Sequence, residues 1–448
     1  MDKTLMLARW ALLLAVIMGA VPSPAAAQDV AAATGGMTLD EVVARGVASS
    51  QRLLELDARQ EGAEAAVAGR RAATRPMVAL AGGYTRTNHV DEFGITVPGL
   101  PPRIIYPDIP DNAHARLDLQ WPLYTGGRAE ALERAARGER KAAGYDLAAA
   151  RADLRLELTR AFWAVVTARE TERVVGASLG SLGAHVSDLR TRLEQGLIPP
   201  NDLLTAETQQ SRERMLAIEA ANRTRVAEAD LRRLLGLDDE APLLLAATLA
   251  APAADSELPA ALASSARQLR PERAALRSRV EAFQARGDAA RSGARPQIAV
   301  GGGYDYARPN PRIFPRIGEW RDSWDLSVTA SWLLVDGGRR RAEVAEALAG
   351  VRGAEARAAD FDRQVGFEVR QRWLELDSSQ AAIAAAEEGV ASATEARRVV
   401  GERFRAGVAI NSDLLDAELA LLQARLDRTR AIAGARLAEA RLARAVGR

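Results

Sequence analysis

The strongest constraint on this chain is that it contains the same unit twice. Trp121-Pro-Leu-Tyr-Thr-Gly-Gly-Arg128 returns as Trp332-Leu-Leu-Val-Asp-Gly-Gly-Arg339, 211 residues later. Arg192-Leu-Glu-Gln-Gly-Leu-Ile-Pro-Pro-Asn-Asp-Leu-Leu-Thr-Ala-Glu207 returns at the same offset of 211 as Arg403-Phe-Arg-Ala-Gly-Val-Ala-Ile-Asn-Ser-Asp-Leu-Leu-Asp-Ala-Glu418. One offset across both motifs leaves no net insertion between them. Upstream, Arg75-Pro76 through Tyr84 matches Arg295-Pro296 through Tyr304 at an offset of 220, so the first copy carries nine more residues. The excess falls in a Pro-rich stretch, 97–110, which reads as a loop tip where insertions are tolerated. The chain therefore divides into a first repeat, 28–236, a short irregular linker, 237–257, placed as a belt near mid-height, and a second repeat, 258–448.

Each repeat runs helix, two strands, a very long helix, a tight turn, helix. Leu117, Leu119, Trp121 and Leu123 alternate with Asp118, Gln120 and Pro122, and Trp324, Leu326, Val328, Ala330 and Trp332 alternate with Asp325, Ser327, Thr329 and Ser331. That two-residue period predicts strands with one apolar face over about 77–90, 115–124, 297–307 and 322–334. Gly126-Gly127 and Gly337-Gly338 mark the strand-to-helix turns. From 128 to 195 and from 339 to 406 the pattern is helical with no proline, and such helices would be roughly 100 Å long. Val344, Val351, Ala358 and Val365 are spaced by sevens, as are Val369, Leu376, Ile383 and Val390 after a four-residue shift, the signature of a coiled-coil seam with a stutter. Helices of about half that length are predicted over 39–74, 202–235, 259–294 and 413–446. Two of them end to end match one long helix, which suggests a wall of uniform height.

Strands of about 10 residues with one apolar face suit an outer-membrane barrel. Four cannot close, and an open sheet in lipid leaves edge N–H and C=O groups unpaired. Two chains would give eight strands and little lumen; three give twelve and room for a pore. Trp121, Trp324 and Trp332, near strand ends, fit an interfacial aromatic belt. At the N-terminus, Lys3 and Arg9, the apolar run 10–20 and Ala25-Ala26-Ala27 read as a secretory signal peptide cleaved near Ala27, with no Cys to carry a lipid anchor. The chain has no Cys at all, which excludes disulfide and zinc-thiolate scaffolds, and a net charge of +1 offers no bulk field for nucleic acid. Gly301-Gly302-Gly303 lacks the Lys-Ser/Thr of a phosphate loop and reads as barrel glycine. His89, His114 and His185 have no ligand-like spacing and are expected on the surface. No metal, cofactor or catalytic constellation is expected, so an enzyme is not. A soluble periplasmic coiled-coil adaptor or structural tether is the alternative, disfavoured by the duplicated strands.

The duplicated Trp-x-Leu-x-x-Gly-Gly-Arg strand end and the duplicated Gly-x-x-x-x-x-Asp-Leu-Leu-x-Ala-Glu tip resemble the TolC family of outer-membrane efflux proteins. The likeness runs over nearly the whole chain after the signal segment, in order and in both repeats. It implies a mainly α protein with a membrane β-barrel: a homotrimer whose twelve-stranded barrel, four strands per chain, continues into a long α-helical periplasmic tunnel. It also implies export of small molecules or secreted proteins, with outer-membrane lipid around the barrel. The implied partners are a periplasmic adaptor and an inner-membrane transporter of the RND or ABC type. Carried over by position, the tips 196–207 and 407–418 would form the periplasmic entrance. Asp413 and Asp416, with Asp202 from the first tip, would narrow it as an acidic ring favouring cations. Thr205 stands opposite Asp416 in the first tip, and Ala409 stands where the best-known member has a basic locking residue, so any lock is built differently. Gly196, Leu203, Leu204, Glu207, Gly407, Leu414, Leu415 and Glu418 would meet the adaptor. The residues alone leave two other roles open: the acids as helix caps and the leucines as hairpin core.

Overall fold

The computed structural model describes residues 36–99, 101–253 and 258–448, so the expected signal segment, 1–27, lies outside the described residues. In the first repeat, helices α1 (Leu39–Ser49) and α2 (Gln51–Ala72) lead to strands β1 (Met77–Arg86), β2 (Phe93–Ile95), β3 (Arg103–Tyr106) and β4 (Asp111–Tyr124), then helices α3 (Arg128–Glu194) and α4 (Pro200–Leu235). In the second, α5 (Pro259–Leu269) and α6 (Pro271–Arg291) lead to β5 (Gln297–Arg308) and β6 (Arg321–Ser331), then α7 (Arg339–Arg405) and α8 (Asn411–Val446).

The long helices α3 and α7 are 67 residues each and α4 and α8 are 36 each, so the duplication extends to element length. At the start of α3 the hydroxyl of Thr125 accepts from the Ala129 amide at 3.1 Å. At the start of α7 the Asp336 carboxylate accepts from Gly338 and Arg340 amides at 3.1 and 2.9 Å. Between cap and helix, Gly126, Gly127, Gly337 and Gly338 all take positive φ (68°, 88°, 66° and 91°), a turn that side chains resist. Both long helices end in the same left-handed glycine cap: Gly196 and Gly407 have φ of 72° and 73°, and the next amide, Leu197 or Val408, bonds back to Arg192 or Arg403 at 2.9 Å.

The helices predicted as continuous over 39–74 and 259–294 are each broken once, at Ser50 and at Arg270, positions related by the same 220-residue offset. Ser50 leaves the helical region and its hydroxyl caps α2 through the Leu53 amide; Arg270 is held extended because Pro271 follows it. The Pro-rich insertion is also more than a loop, since β2 and β3 pair there as a small antiparallel hairpin.

The main sheet has the order β1-β4-β5-β6, antiparallel throughout. It crosses the repeat boundary by pairing β4 with β5. β1 stops at Arg86 and β4 begins at Asp111, earlier than predicted, because these two residues are the last ladder pair. β6 stops at Ser331 rather than 334, because Ser331 faces Gln297, the first residue of β5, and nothing remains to pair beyond it.

Packing is densest beside α3, which lies against α2, α4, α6 and α8. A core of Val42, Leu158, Phe162, Val165, Leu231 and Leu235 joins α1, α3 and α4, and Leu262, Val365, Val369 and Leu442 do the same for α5, α7 and α8. The predicted seam of α7 is buried at Val365, Val369, Leu376 and Ile383 and half-buried at Val344, Val351, Ala358 and Val390. The described part of the linker, 237–253, packs against this region. Met37 bridges to Leu245, and Arg169, Arg232 and Arg436 donate to the carbonyls of Leu243, Ala241 and Ala250, each at 2.8 Å.

Candidate channel wall and entrance

Register fixes the two faces of the sheet. Leu80, Leu117, Tyr304 and Trp324 lie in one cross-strand row, and Val78, Leu119, Gly302 and Leu326 in the next. Val300, Val328 and Trp121 continue the same face, and most of these large apolar side chains stand exposed. The opposite face carries Arg116, Asp118 and Gln120 on β4, Asp305 on β5, and Asp325, Ser327 and Thr329 on β6. An apolar exterior on one side and a polar layer on the other is what a strand must present to lipid and to a lumen. Among the described residues no helix is long and apolar enough to cross a membrane.

The tryptophans occupy both ends of this apolar face. Trp324 sits near the loop end of β6 and is exposed. Trp121 and Trp332 sit at the helix end, where they do a second job: their indole N–H groups donate to the carbonyls of Thr74 (3.2 Å) and Ala294 (3.0 Å). The two bonds are equivalent in the repeats and tie each strand end to the end of the preceding helical segment.

At the other end of the molecule, the two helical tips are brought together. Leu182, Val186 and Leu189 of α3, Leu203 and Ala206 of α4 and Leu415 of α8 form one core, with Phe404 of α7 against it. Of the leucines expected to face an adaptor, Leu203, Leu414 and Leu415 are only 9%, 8% and 7% exposed, so within the chain they close the hairpins. Leu204 alone remains outward, at 60%. Glu207 pairs with Arg190 and Glu418 with Arg397, each at 2.7 Å, tying each tip helix to its own long partner.

Asp413 and Asp416 are exposed one turn apart on α8, and Asp202 is half-exposed on α4. None of the three caps a helix: the N-cap positions are Pro199 and Ile410, which make no side-chain bond, and Asp202 and Asp413 stand in the first turn. There they complement the helix dipole.

A bridge that sequence reasoning missed joins the two hairpins. Asn411, buried at the start of α8, donates from Nδ2 to the Asp202 carbonyl at 3.0 Å. Its Oδ1 lies 2.8 Å from Nε2 of His185 on α3. With Oδ1 as acceptor, Nε2 is the donor. His185 is therefore half-buried at an inter-repeat contact, stacked edge-on against Phe404, and not the free surface histidine expected. A polar residue directly after the apolar Val408-Ala409-Ile410 was the available signal.

Comparison with known proteins agrees with this layout. The model of the family described as outer membrane efflux protein matches residues 45–237 and 262–448, one stretch per repeat. Protein CyaE of Bordetella pertussis is 27% identical over 397 residues, covering 87% of this chain and 79% of CyaE. Outer membrane protein TolC of Vibrio cholerae is 24% identical over 402 residues, covering 89% of this chain and 88% of that protein. Among solved structures, the outer membrane protein VceC of Vibrio cholerae superposes with a TM-score of 0.75 at 20% identity, over 91% of this chain and 96% of VceC. These matches set aside the soluble adaptor or tether, and the family is one of transport proteins rather than enzymes. The chain belongs to the outer membrane efflux protein family, and it is an outer-membrane channel for efflux or secretion.

Proposed function

We propose that three copies close their sheets edge to edge, β6 of one chain against β1 of the next, into a twelve-stranded barrel in the outer membrane. The long helices would continue the barrel as a periplasmic tunnel. The observation that carries this is a four-stranded sheet with an exposed apolar face and both edges, β1 and β6, unpaired among the described residues. Such edges are tolerable in lipid only if another chain pairs with them. The helices point the same way. α7 buries five of its residues within the chain where α3 buries eighteen, and α7 exposes Phe367 and Leu374 while α4 exposes Met215, Ile218 and Val226. These faces would seat neighbouring chains.

On this reading, residues 1–27 direct the chain to the periplasm and the tips receive cargo from an adaptor and an inner-membrane pump. Asp413 and Asp416, with Asp202, would then ring the entrance on the three-fold axis. Because the chain lacks Cys, Asn201→Cys places a single photo-crosslinker at the tip. Capture of a periplasmic adaptor in cells is the expected result, and capture of cell-wall components alone would contradict it. In planar bilayers, Asp413→Asn with Asp416→Asn should lower cation selectivity; unchanged selectivity and divalent-ion block would remove the acids from the constriction.

A further inference from the structure

The polar face of the sheet holds one side chain placed with unusual economy. Arg116 of β4 directs all three guanidinium nitrogens at carboxylates on three strands: Nε to Asp118 on its own strand at 2.7 Å, Nη1 to Asp305 on β5, and Nη2 to Asp325 on β6 at 3.2 Å. The register explains how one residue spans three strands. Arg116 faces Asp305 directly, whereas Asp118, Gly303 and Asp325 form the adjacent row. The guanidinium therefore lies over Gly303, and a Cβ there would collide with it. Gly303, read from sequence only as a barrel glycine, is the vacancy that lets the arginine cross.

The charge in this layer does not cancel. One guanidinium against three carboxylates leaves two negative charges per chain, and Arg312, 4.0 Å from Asp325, offsets at most one of them. Arg321, on the same face nearer the loop end, is already paired with Glu319 at 3.0 Å. Among the described strand residues, Arg116 and Arg321 are the only lysines or arginines on this face.

Building on the barrel reading above, we infer that the Arg116 clasp is a second charge filter, inside the barrel and separate from the helical tips. Three copies around the axis give a ring carrying three to six negative charges. Inorganic cations are favoured past it and anions disfavoured, and Arg116 sets its strength. The clasp also works as a register pin, because the same guanidinium holds β4 of the first repeat to both strands of the second.

The test is ion selectivity of the purified full-length protein in planar bilayers under a potassium chloride gradient. To isolate the barrel, the background is Asp413→Asn with Asp416→Asn. In that background Arg116→Gln is expected to raise the potassium-to-chloride permeability ratio, and Asp305→Asn with Asp325→Asn to lower it, each by about twofold or more. Each variant is first checked as a heat-dissociable trimer in detergent. If Arg116→Gln does not assemble, the single Asp118→Asn variant replaces it, with a fall in the ratio expected. Assembled channels whose reversal potential ignores all these changes would overturn the filter and leave the channel standing. No conductance from the unaltered protein would overturn the channel reading itself, and the filter with it.

Discussion

Glu213 on α4 is 1% exposed, and one of its carboxylate oxygens has no hydrogen-bond partner. Burial pushes its carboxyl above the ordinary carboxylate range, and the nearby Glu418 adds to that, while hydrogen bonds from Ser178 and Gln209 pull the other way. Because the folded form holds the proton more tightly than the unfolded one, the stabilising contribution is complete below the unfolded pKa. It is lost as pH rises through the folded one. Glu213→Gln keeps the shape and removes the charge. It should raise stability near neutral pH by about 1–3 kcal/mol and flatten the pH dependence above the acid range, measured by unfolding at several pH values. An unchanged midpoint would mean that the buried oxygen is solvated. Nothing in the surrounding Gln209 to Leu216 run announces such a residue. Its helical period is ordinary, and burial comes from α3 and α8 packing over it, which is long-range information. The strand residues behave oppositely, since Leu117 or Val328 can be assigned to the apolar face from alternation alone.

At the level of elements, duplication is the reason so much was legible. Each long helix was bounded to within a residue, because Gly-Gly before it and Gly after it are residues that the backbone demands. The breaks at Ser50 and Arg270 were not equally readable. Ser50 interrupts no apolar period, whereas Pro271 was a visible warning. The β2–β3 hairpin hid because Pro98, Pro101 and Pro102 outweighed the β-branched Ile104 and Ile105 beside them. The two strand-to-helix turns share a conformation but not surroundings, which separates strain from crowding. A Cβ at Gly337 meets nothing within 4 Å, whereas one at Gly126 comes 2.9 Å from the Ser292 carbonyl. Gly337→Ala should cost about 1–2 kcal/mol, from backbone conformation alone. Gly126→Ala should cost clearly more, seen as a lower unfolding midpoint for the folded protein. Equal costs would show that the Ser292 segment yields.

Across the whole molecule, an ionic network shared by α3, α6, α7 and α8 ties the repeats together. Arg270 bonds Glu272 at 3.0 Å and also Glu368 of α7, while Arg444 of α8 bonds Glu272 at 2.5 Å and Asp153 of α3 at 2.8 Å. Burial alone would raise the Glu272 carboxyl, but hydrogen bonds from Arg270 and Arg444 outweigh it and draw it down to about 2. A depressed carboxyl contributes stability above its unfolded value that is lost as pH falls through the folded one. The window here is between the ordinary value, 4.5, and about 2. Acidification across it should remove roughly 3 kcal/mol, and Glu272→Gln should abolish that part of the response. An acid transition that is the same in both proteins would place the sensitivity elsewhere.

The edge-to-edge joining of three sheets can be tested covalently, because the chain is free of cysteine. Val78→Cys on β1 would be combined in turn with Leu326→Cys, Val328→Cys or Ala330→Cys on β6, and the membranes oxidised before denaturing electrophoresis. At least one pair should give a covalent ladder that stops at three chains, with neither single cysteine doing so. Monomers for every pair, or a ladder running past three, would contradict the closed three-chain barrel.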